Sequence, residues 1–134
     1  TDIIEEGKIT IGDINFIIKK TTEAFDIEIP EINAVYTHMM GHDCHSIVTG
    51  AKHADAMIAE LENYIKKGYD LILTSHYTPE DLKDAEVKIA YLKDLKQIAA
   101  NCKDPDSFKK EVSKKYSFYE GANYLDMTAA AFFA

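Results

Sequence analysis

The sequence has few of the residues that mark disulfide-linked secreted domains or membrane proteins. It contains two cysteines, Cys44 and Cys102, which are too few for a disulfide framework, and their loop and helix-end contexts do not suggest a pair. No apolar run approaches the roughly 20 residues needed to cross a bilayer, and no basic segment followed by an apolar one opens the chain. Reduced thiols in a cytoplasm fit best, although the chain begins with Thr1 rather than Met, which leaves an upstream signal as an open alternative.

Positive charge is also scarce. Lys plus Arg number 15 and Asp plus Glu number 23, so the net charge is −8. Negative charge repels phosphate backbones and anionic lipid heads, which argues against nucleic acid or a membrane surface as a partner. The chain does contain 46% hydrophobic residues without a repeat or a low-complexity linker, so we predict one globular domain over residues 1–134.

The N-terminal part has the pattern of a strand meander. Apolar runs at 8–11 and 14–18 are separated by Gly12-Asp13, which is a hairpin signal. Residues 25–29 alternate apolar and acidic side chains, as a half-buried strand does, and residues 32–36 give another short strand. We therefore predict an antiparallel meander of about four strands.

The remainder predicts one helix, one strand and then further helices. Apolar residues recur at helical spacing over 51–67, and residues 69–73 form a short apolar run. The run 78–81 predicts the start of a helix that extends to about residue 100, with Thr78 as its capping residue. Helices beginning at Asp104-Pro105 and at 122 complete an α/β chain, in α+β-like order. The periodic apolar positions predict a core of Ile9, Ile11, Phe16, Ile18, Ile27, Ile29, Val35, Met57, Leu61, Ile72, Leu82, Ile89 and Leu92.

Histidines are concentrated between the meander and the first helix. Of the five in the chain, His38, His42 and His45 share one loop with Asp43 and Cys44. Clusters of histidine with carboxylate and thiol neighbours suit borderline metals such as zinc. Their spacing matches no closed structural zinc site, so a polar loop in which His38 or His45 only hydrogen-bonds backbone groups is an equally open interpretation.

His76 stands at the C-terminal end of a predicted strand. Such a position directs a side chain into the mouth of a sheet, where ligands and catalytic groups gather in α/β architectures. A helix-capping imidazole, or one satisfied in the core, fits the same position. Spacing alone does not decide between a ligand and a structural histidine.

Several short runs follow one another in a familiar order: Thr22-Glu23-Ala24, Asn33 to His38, His45 to Lys52, and Leu73 to His76. Over roughly residues 8 to 95 they resemble the C-terminal part of the alkylsulfatase-like branch of metallo-β-lactamase-fold hydrolases. The resemblance implies that the chain is half of an αββα sandwich, in which an antiparallel meander is followed by a strand and helices. It also implies a zinc-dependent hydrolase of small-molecule esters.

The resemblance implies ligands for a two-metal zinc site. Glu23 matches a glutamate that is a ligand of the first metal, and His76 matches a histidine that is a ligand of the second. Where the branch has an acidic residue bridging both metals, this chain has Thr37-His38-Met39, so either His38 takes that role or the bridge is absent. We predict that Glu23, His38 and His76 converge on one end of the sheet as metal ligands. The surrounding loop or supporting residues are predicted to be His42, Asp43 and His45.

The His-x-His-x-Asp-His motif of the superfamily's N-terminal half does not occur in these residues. A hydrolytic zinc normally has three protein ligands and an open position, so we expect this chain to hold a partial site and to be inactive alone. Its expected partner is the missing N-terminal half or a second copy. The alternatives are a non-catalytic binding or self-association module that kept half of the fold, and a small α/β domain whose histidine loop is only polar.

Overall fold

The fold is a mixed α/β arrangement in the computed structural model, which describes residues 3–21, 24–38 and 40–134. Within these residues five strands form one sheet in the order β1-β2-β3-β4-β5. The first four strands pair antiparallel, and β5 pairs parallel with β4. The strands are β1 Gly7–Ile11, β2 Ile14–Lys20, β3 Phe25–Ile29, β4 Ala34–Thr37 and β5 Leu71–Thr74. This sheet confirms the predicted α/β class and is consistent with part of an α/β sandwich.

Four α-helices accompany the sheet in the described part of the chain: α1 Ala51–Lys67, α2 Leu82–Asn101, α3 Pro105–Lys115 and α4 Ala122–Phe132. Helix α1 ends as predicted, because Gly68 adopts a left-handed conformation with φ 73° and donates its backbone N–H to carbonyls of the last turn. Helix α3 begins at its predicted proline, with the side chain of Asp104 accepting from the N–H of Ser107.

The start of α2 differs from the prediction. The capping residue is Asp81 rather than Thr78, and Asp81 and Asp84 form a reciprocal capping box. The preceding Glu80 is extended, because its N–H and carbonyl both pair with Ile72 of β5 at 2.9 Å. Two backbone hydrogen bonds to the sheet therefore prevent the helix from starting at the proline.

The hydrophobic core lies between the helices and the β4–β5 side of the sheet. Its members include Val35 and Ile72 from the strands, Leu61 from α1, Leu92 from α2 and Phe108 from α3, all buried. Of the predicted core positions, the structure buries Ile18, Val35, Leu61, Ile72, Ile89 and Leu92. The prediction was wrong for Ile11, which is 66% exposed, and the remaining predicted positions, all half-buried, are Ile9, Phe16, Ile27, Ile29, Met57 and Leu82.

Strand β3 turns its acidic residues rather than its isoleucines toward the helices. Asp26 and Glu28 are buried, whereas Ile27 and Ile29 on the opposite face are only half-buried. Helix α1 and Tyr69, two residues after its end, supply partners for the carboxylates, and Lys19 of β2 also pairs with Glu28. The hydroxyl of Tyr64 donates to Asp26, Lys67 donates to Glu28 at 2.8 Å, and Tyr69 donates to Glu28 at 2.8 Å.

The opposite face of the sheet is apolar and partly exposed, with Ile18 and Ala34 buried and most of its other side chains half-buried. Strand register places Ile18, Ile27, Tyr36 and Leu73 in one row across the sheet, and Ile9 with Phe16 in a neighbouring row. Phe25 at 45% and Leu71 at 38% are exposed on the same face. We call this surface the open sheet face. Its residues are Ile9, Ile11, Ile14, Phe16, Ile18, Phe25, Ile27, Ile29, Ala34, Tyr36, Leu71 and Leu73.

Cys44 and Cys102 are both free thiols, with Cys44 buried, which agrees with the prediction that they do not pair. Among the described residues, none of the helices combines the length and the apolar character needed to span a membrane.

Candidate metal centre

His38 and His76 lie against each other at the end of the parallel β4–β5 pair. Their ring centroids are 5.2 Å apart and the ring planes meet at 79°. His38 follows the last residue of β4, and His76 comes two residues after the end of β5. The structure thus brings together two of the three residues that the sequence predicts as metal ligands.

Strand register explains why the two histidines meet. Thr37 pairs with Thr74 at the ends of the parallel strands, and the N–H of Ser75 donates to the carbonyl of His38 at 3.2 Å. The hydroxyls of Tyr36 and Ser75 are also hydrogen-bonded. Because parallel strands end at the same edge of a sheet, each chain leaves this edge with a histidine in the next one or two positions.

The separation of the two rings matches that of two imidazoles bound to one zinc ion. With Zn–N bonds of about 2.0–2.1 Å, two imidazoles on a tetrahedral zinc place their ring centroids about 5 Å apart, close to the 5.2 Å between His38 and His76. Glu23 lies outside the described residues, so its convergence with the histidines stays a prediction. Of the three predicted ligands, the structure describes His38 and His76, whose roles as ligands stay predictions.

His42 belongs to a different cluster, with Glu80 and Asp84. Its Nδ1 lies 2.7 Å from Oε1 of Glu80 and 3.4 Å from Oδ1 of Asp84. Potential ligand atoms of the three residues all lie within 4.8 Å of one another. The hydrogen bond to Glu80 and the charge of Asp84 raise the pKa of His42 above its ordinary value, which means that the cluster stabilises positive charge at this ring.

Glu80 is the functional candidate that the sequence reasoning missed. Its side chain is 1% exposed, and its carboxylate accepts the N–H of Gly41 at 3.0 Å and the N–H of His42 at 2.8 Å. The sequence suggested only an acidic residue near a helix N-terminus. No local signal predicts its role, because the position of Glu80 is set by its backbone pairing with Ile72, which is distant in sequence.

His45 is buried among tyrosines. Its Nδ1 lies 3.0 Å from the hydroxyl of Tyr91, and its ring contacts the ring of Tyr119 with centroids 5.4 Å apart. Burial lowers the pKa of His45, and the charge of Lys88 lowers it further, so the imidazole is neutral near pH 7. The interpretation that His45 only hydrogen-bonds backbone groups does not describe this contact, which is with a side chain.

Lys88 holds the loop that carries these histidines. It is 1% exposed, and its ammonium donates to the carbonyl of Cys44 and to Oγ of Ser46, both at 2.8 Å. Asp43 is exposed, and its carbonyl accepts the N–H of Glu120 at 3.0 Å. The loop is therefore fixed to α2 on one side and to the segment before α4 on the other.

Searches with the sequence find no match among protein-family models and none among curated proteins. Among solved structures, the chain is similar to the stereoselective inverting sec-alkylsulfatase Pisa1 from Pseudomonas sp., with a TM-score of 0.62 and 19% sequence identity. The match covers 97% of this chain and 25% of that chain, so this chain spans about a quarter of the enzyme's length. At this identity the similarity shows a shared fold alone, with about a quarter of that enzyme.

Proposed function

We propose that this chain contributes part of the metal site of a zinc-dependent hydrolase of ester-type substrates. The contact between His38 and His76 at the end of β4 and β5 is the observation that carries the proposal. The similarity in fold to a sec-alkylsulfatase favours an ester, and a sulfate ester in particular, as the substrate class.

In the proposed two-metal site, Glu23, His38 and His76 would be the ligands that this chain contributes. Zinc, when bound, lowers the pKa of a coordinated water and polarises the scissile ester. The role of this chain is to orient its two imidazoles. The hydrogen bond from Ser75 to the His38 carbonyl and the one between the Tyr36 and Ser75 hydroxyls hold the two strand ends in register.

The remaining ligands would come from a second β-layer packed on the open sheet face. Two or three ligands from this chain are fewer than a two-metal hydrolytic site needs. Two sheets that pack face to face bury their inner apolar side chains in a core about 10 Å thick. The open sheet face has the alternating apolar side chains for such a contact, with Ile27 near its centre. Whether the second layer belongs to the same protein or to another chain is a question for the experiment.

The test is complementation of the 134-residue chain by a separately produced segment that carries the His-x-His-x-Asp-His motif on a β-layer. We expect no hydrolysis of an aryl or alkyl sulfate ester by the chain alone with Zn²⁺, and turnover when the segment is added. His76→Ala should abolish that rescue, whereas Lys93→Ala, at a residue of α2 whose side chain is 61% exposed, should leave it intact. Turnover by a verified monomer of the chain alone, or rescue that survives His76→Ala, would contradict the proposal.

A self-association module is the second candidate function, and the exposed apolar side chains of the open sheet face favour it. Light scattering coupled to gel filtration should then show a dimer that Ile27→Lys dissociates. Val87→Lys, on an exposed position of α2, serves as the control and should leave the dimer intact. A chain that is monomeric at all concentrations, with and without Zn²⁺, would eliminate this candidate.

A further inference from the structure

We propose that His42, Glu80 and Asp84 form a binding site for a divalent transition-metal cation of the zinc class, separate from the His38–His76 pair. One ligand comes from the histidine loop, one from the extended segment after β5 and one from the first turn of α2. The proposal does not depend on hydrolase activity.

The distances between the three side chains suit a small cation. Nδ1 of His42 lies 2.7 Å from Glu80 Oε1 and 3.4 Å from Asp84 Oδ1. Ligand atoms around a tetrahedral zinc are about 3.3–3.6 Å apart, given bonds of about 2.0–2.2 Å. A movement of less than about 1 Å between His42 and Glu80 would therefore admit the ion. One nitrogen and two carboxylate oxygens are a ligand set typical of zinc rather than of magnesium or calcium, which favour oxygen alone.

Backbone N–H groups fix both carboxylates in position. Glu80 accepts from the N–H of Gly41 and from that of His42. Asp84 accepts from the N–H of Asp81 at 3.0 Å through Oδ2, which leaves Oδ1 directed at His42. Such supporting hydrogen bonds orient the ligands of natural metal sites and strengthen their binding. The side chain of Glu80 is only 1% exposed, so it cannot rotate its carboxylate into solvent.

The negative charge of the His42–Glu80–Asp84 cluster also favours binding of a cation. Two carboxylates face one imidazole, so a protonated His42 balances only one of the two negative charges. The ammonium of Lys88 attracts Glu80 at longer range, but its hydrogen bonds go to Cys44 and Ser46. A divalent ion would balance both carboxylates and displace the proton from His42. Binding should weaken as the pH falls, since an imidazole must be deprotonated to bind a metal ion.

The experiment is calorimetric titration of the full chain with Zn²⁺ alone, repeated with Co²⁺ to read the ligand geometry from its absorption spectrum. The double variant His38→Ala/His76→Ala isolates the proposed site and should still bind one cation. Adding either His42→Ala or Asp84→Asn to that background should weaken binding at least tenfold. Asp106→Asn in the same background is the matched control, because the side chain of Asp106 in α3 is 93% exposed, and it should not change the affinity.

Both test variants are expected to remain folded. The side chain of His42 is 40% exposed, and asparagine at position 84 retains an oxygen that can accept from the N–H of Asp81. A normal far-UV spectrum and melting curve would verify this before the titration. If the double variant binds no Zn²⁺, or if His42→Ala and Asp84→Asn both bind it as tightly as their background, the cluster is an ion pair only and the proposal fails. Binding by the wild-type chain that is lost in the double variant would assign the metal to the His38–His76 pair, so this failure would leave the proposed function standing.

Discussion

Replacement of Lys88 by methionine should change how the stability of the fold depends on pH. Lys88 is 1% exposed, and burial lowers its pKa to about 8, opposed by the nearby Cys44, Glu80 and Asp43. Methionine has nearly the same length but no charge. At neutral pH the variant loses two hydrogen bonds, to Cys44 and Ser46, but it also removes an ammonium whose burial is costly, so the two effects offset each other.

The direction of the pH effect on stability follows from the number of protons that the folded and unfolded chains bind. Between a folded pKa of about 8 and the ordinary value of 10.5, the unfolded chain binds more protons at Lys88 than the folded one. The free energy of unfolding therefore rises with pH over this interval. The full difference corresponds to about 3 kcal/mol, and about 2 kcal/mol of it should accrue between roughly pH 7.5 and roughly pH 9.5. The loss of folding free energy caused by Lys88 is therefore greatest below pH 8, where the lysine is protonated in the folded chain.

Urea unfolding at these two pH values measures the effect as a difference between proteins. Tyrosines and other lysines also titrate at alkaline pH, but they are common to both proteins and cancel. The wild-type chain should gain about 2 kcal/mol more than Lys88→Met between the two values. Lys93→Met is the matched control, because Lys93 is on the same helix and its side chain is 61% exposed. Equal pH dependence in wild type and Lys88→Met would refute the reasoning that a buried ammonium destabilises the fold.

Three further substitutions test the packing. Leu61→Ala should lower the free energy of unfolding in urea by about 2–5 kcal/mol. Its control is Ile11→Ala, at a position 66% exposed, which should leave this free energy nearly unchanged. Equal losses in the two variants would mean that the core does not lie at Leu61. Tyr64→Phe removes the hydrogen bond to the buried Asp26 and should cost about 1–3 kcal/mol at pH 7, with less loss at acidic pH, where Asp26 is protonated. Gly41→Ala forces a side chain into a left-handed φ of 68° and should cost about 1–3 kcal/mol by the same assay, so an unchanged midpoint would show that the loop relaxes freely.

The secondary structure, and the edge of the sheet at which His38 and His76 meet, could largely be predicted from local patterns. The Gly12-Asp13 turn fixed the β1–β2 hairpin, and the helical period with Gly68 gave α1 both its bounds. His38 and His76 were predicted to meet because each follows a strand, and the structure places their rings 5.2 Å apart. The hairpin and the helix depend on residues close together in sequence, and the two histidines could be predicted to meet because each follows a strand whose local pattern is recognisable.

Features that depend on non-local partners could not be predicted. The run from Thr78 to Asp81 has the sequence of a helix start, yet pairing of Glu80 with Ile72 outweighs it. Alternation in β3 indicates that its two faces differ, but it does not say which face the helices cover. The acidic face is the one that meets Tyr64, Lys67 and Tyr69, whose side chains hydrogen-bond its carboxylates.

The orientation of β3 also bears on what the chain needs in order to be stable. Burial of Asp26 and Glu28 contributes little net free energy, because their desolvation offsets most of what their hydrogen bonds and ion pairs supply. The isoleucines that would contribute more lie on the open sheet face, where Ile27 and Ile29 are only half-buried. Apolar patches larger than a few hundred Å² are uncommon on monomers and mark interaction surfaces. A second layer on this face would therefore add stability as well as ligands, so complementation should raise the melting temperature even when His76→Ala prevents turnover, and a restored activity without any gain in stability would mean that the added layer packs elsewhere.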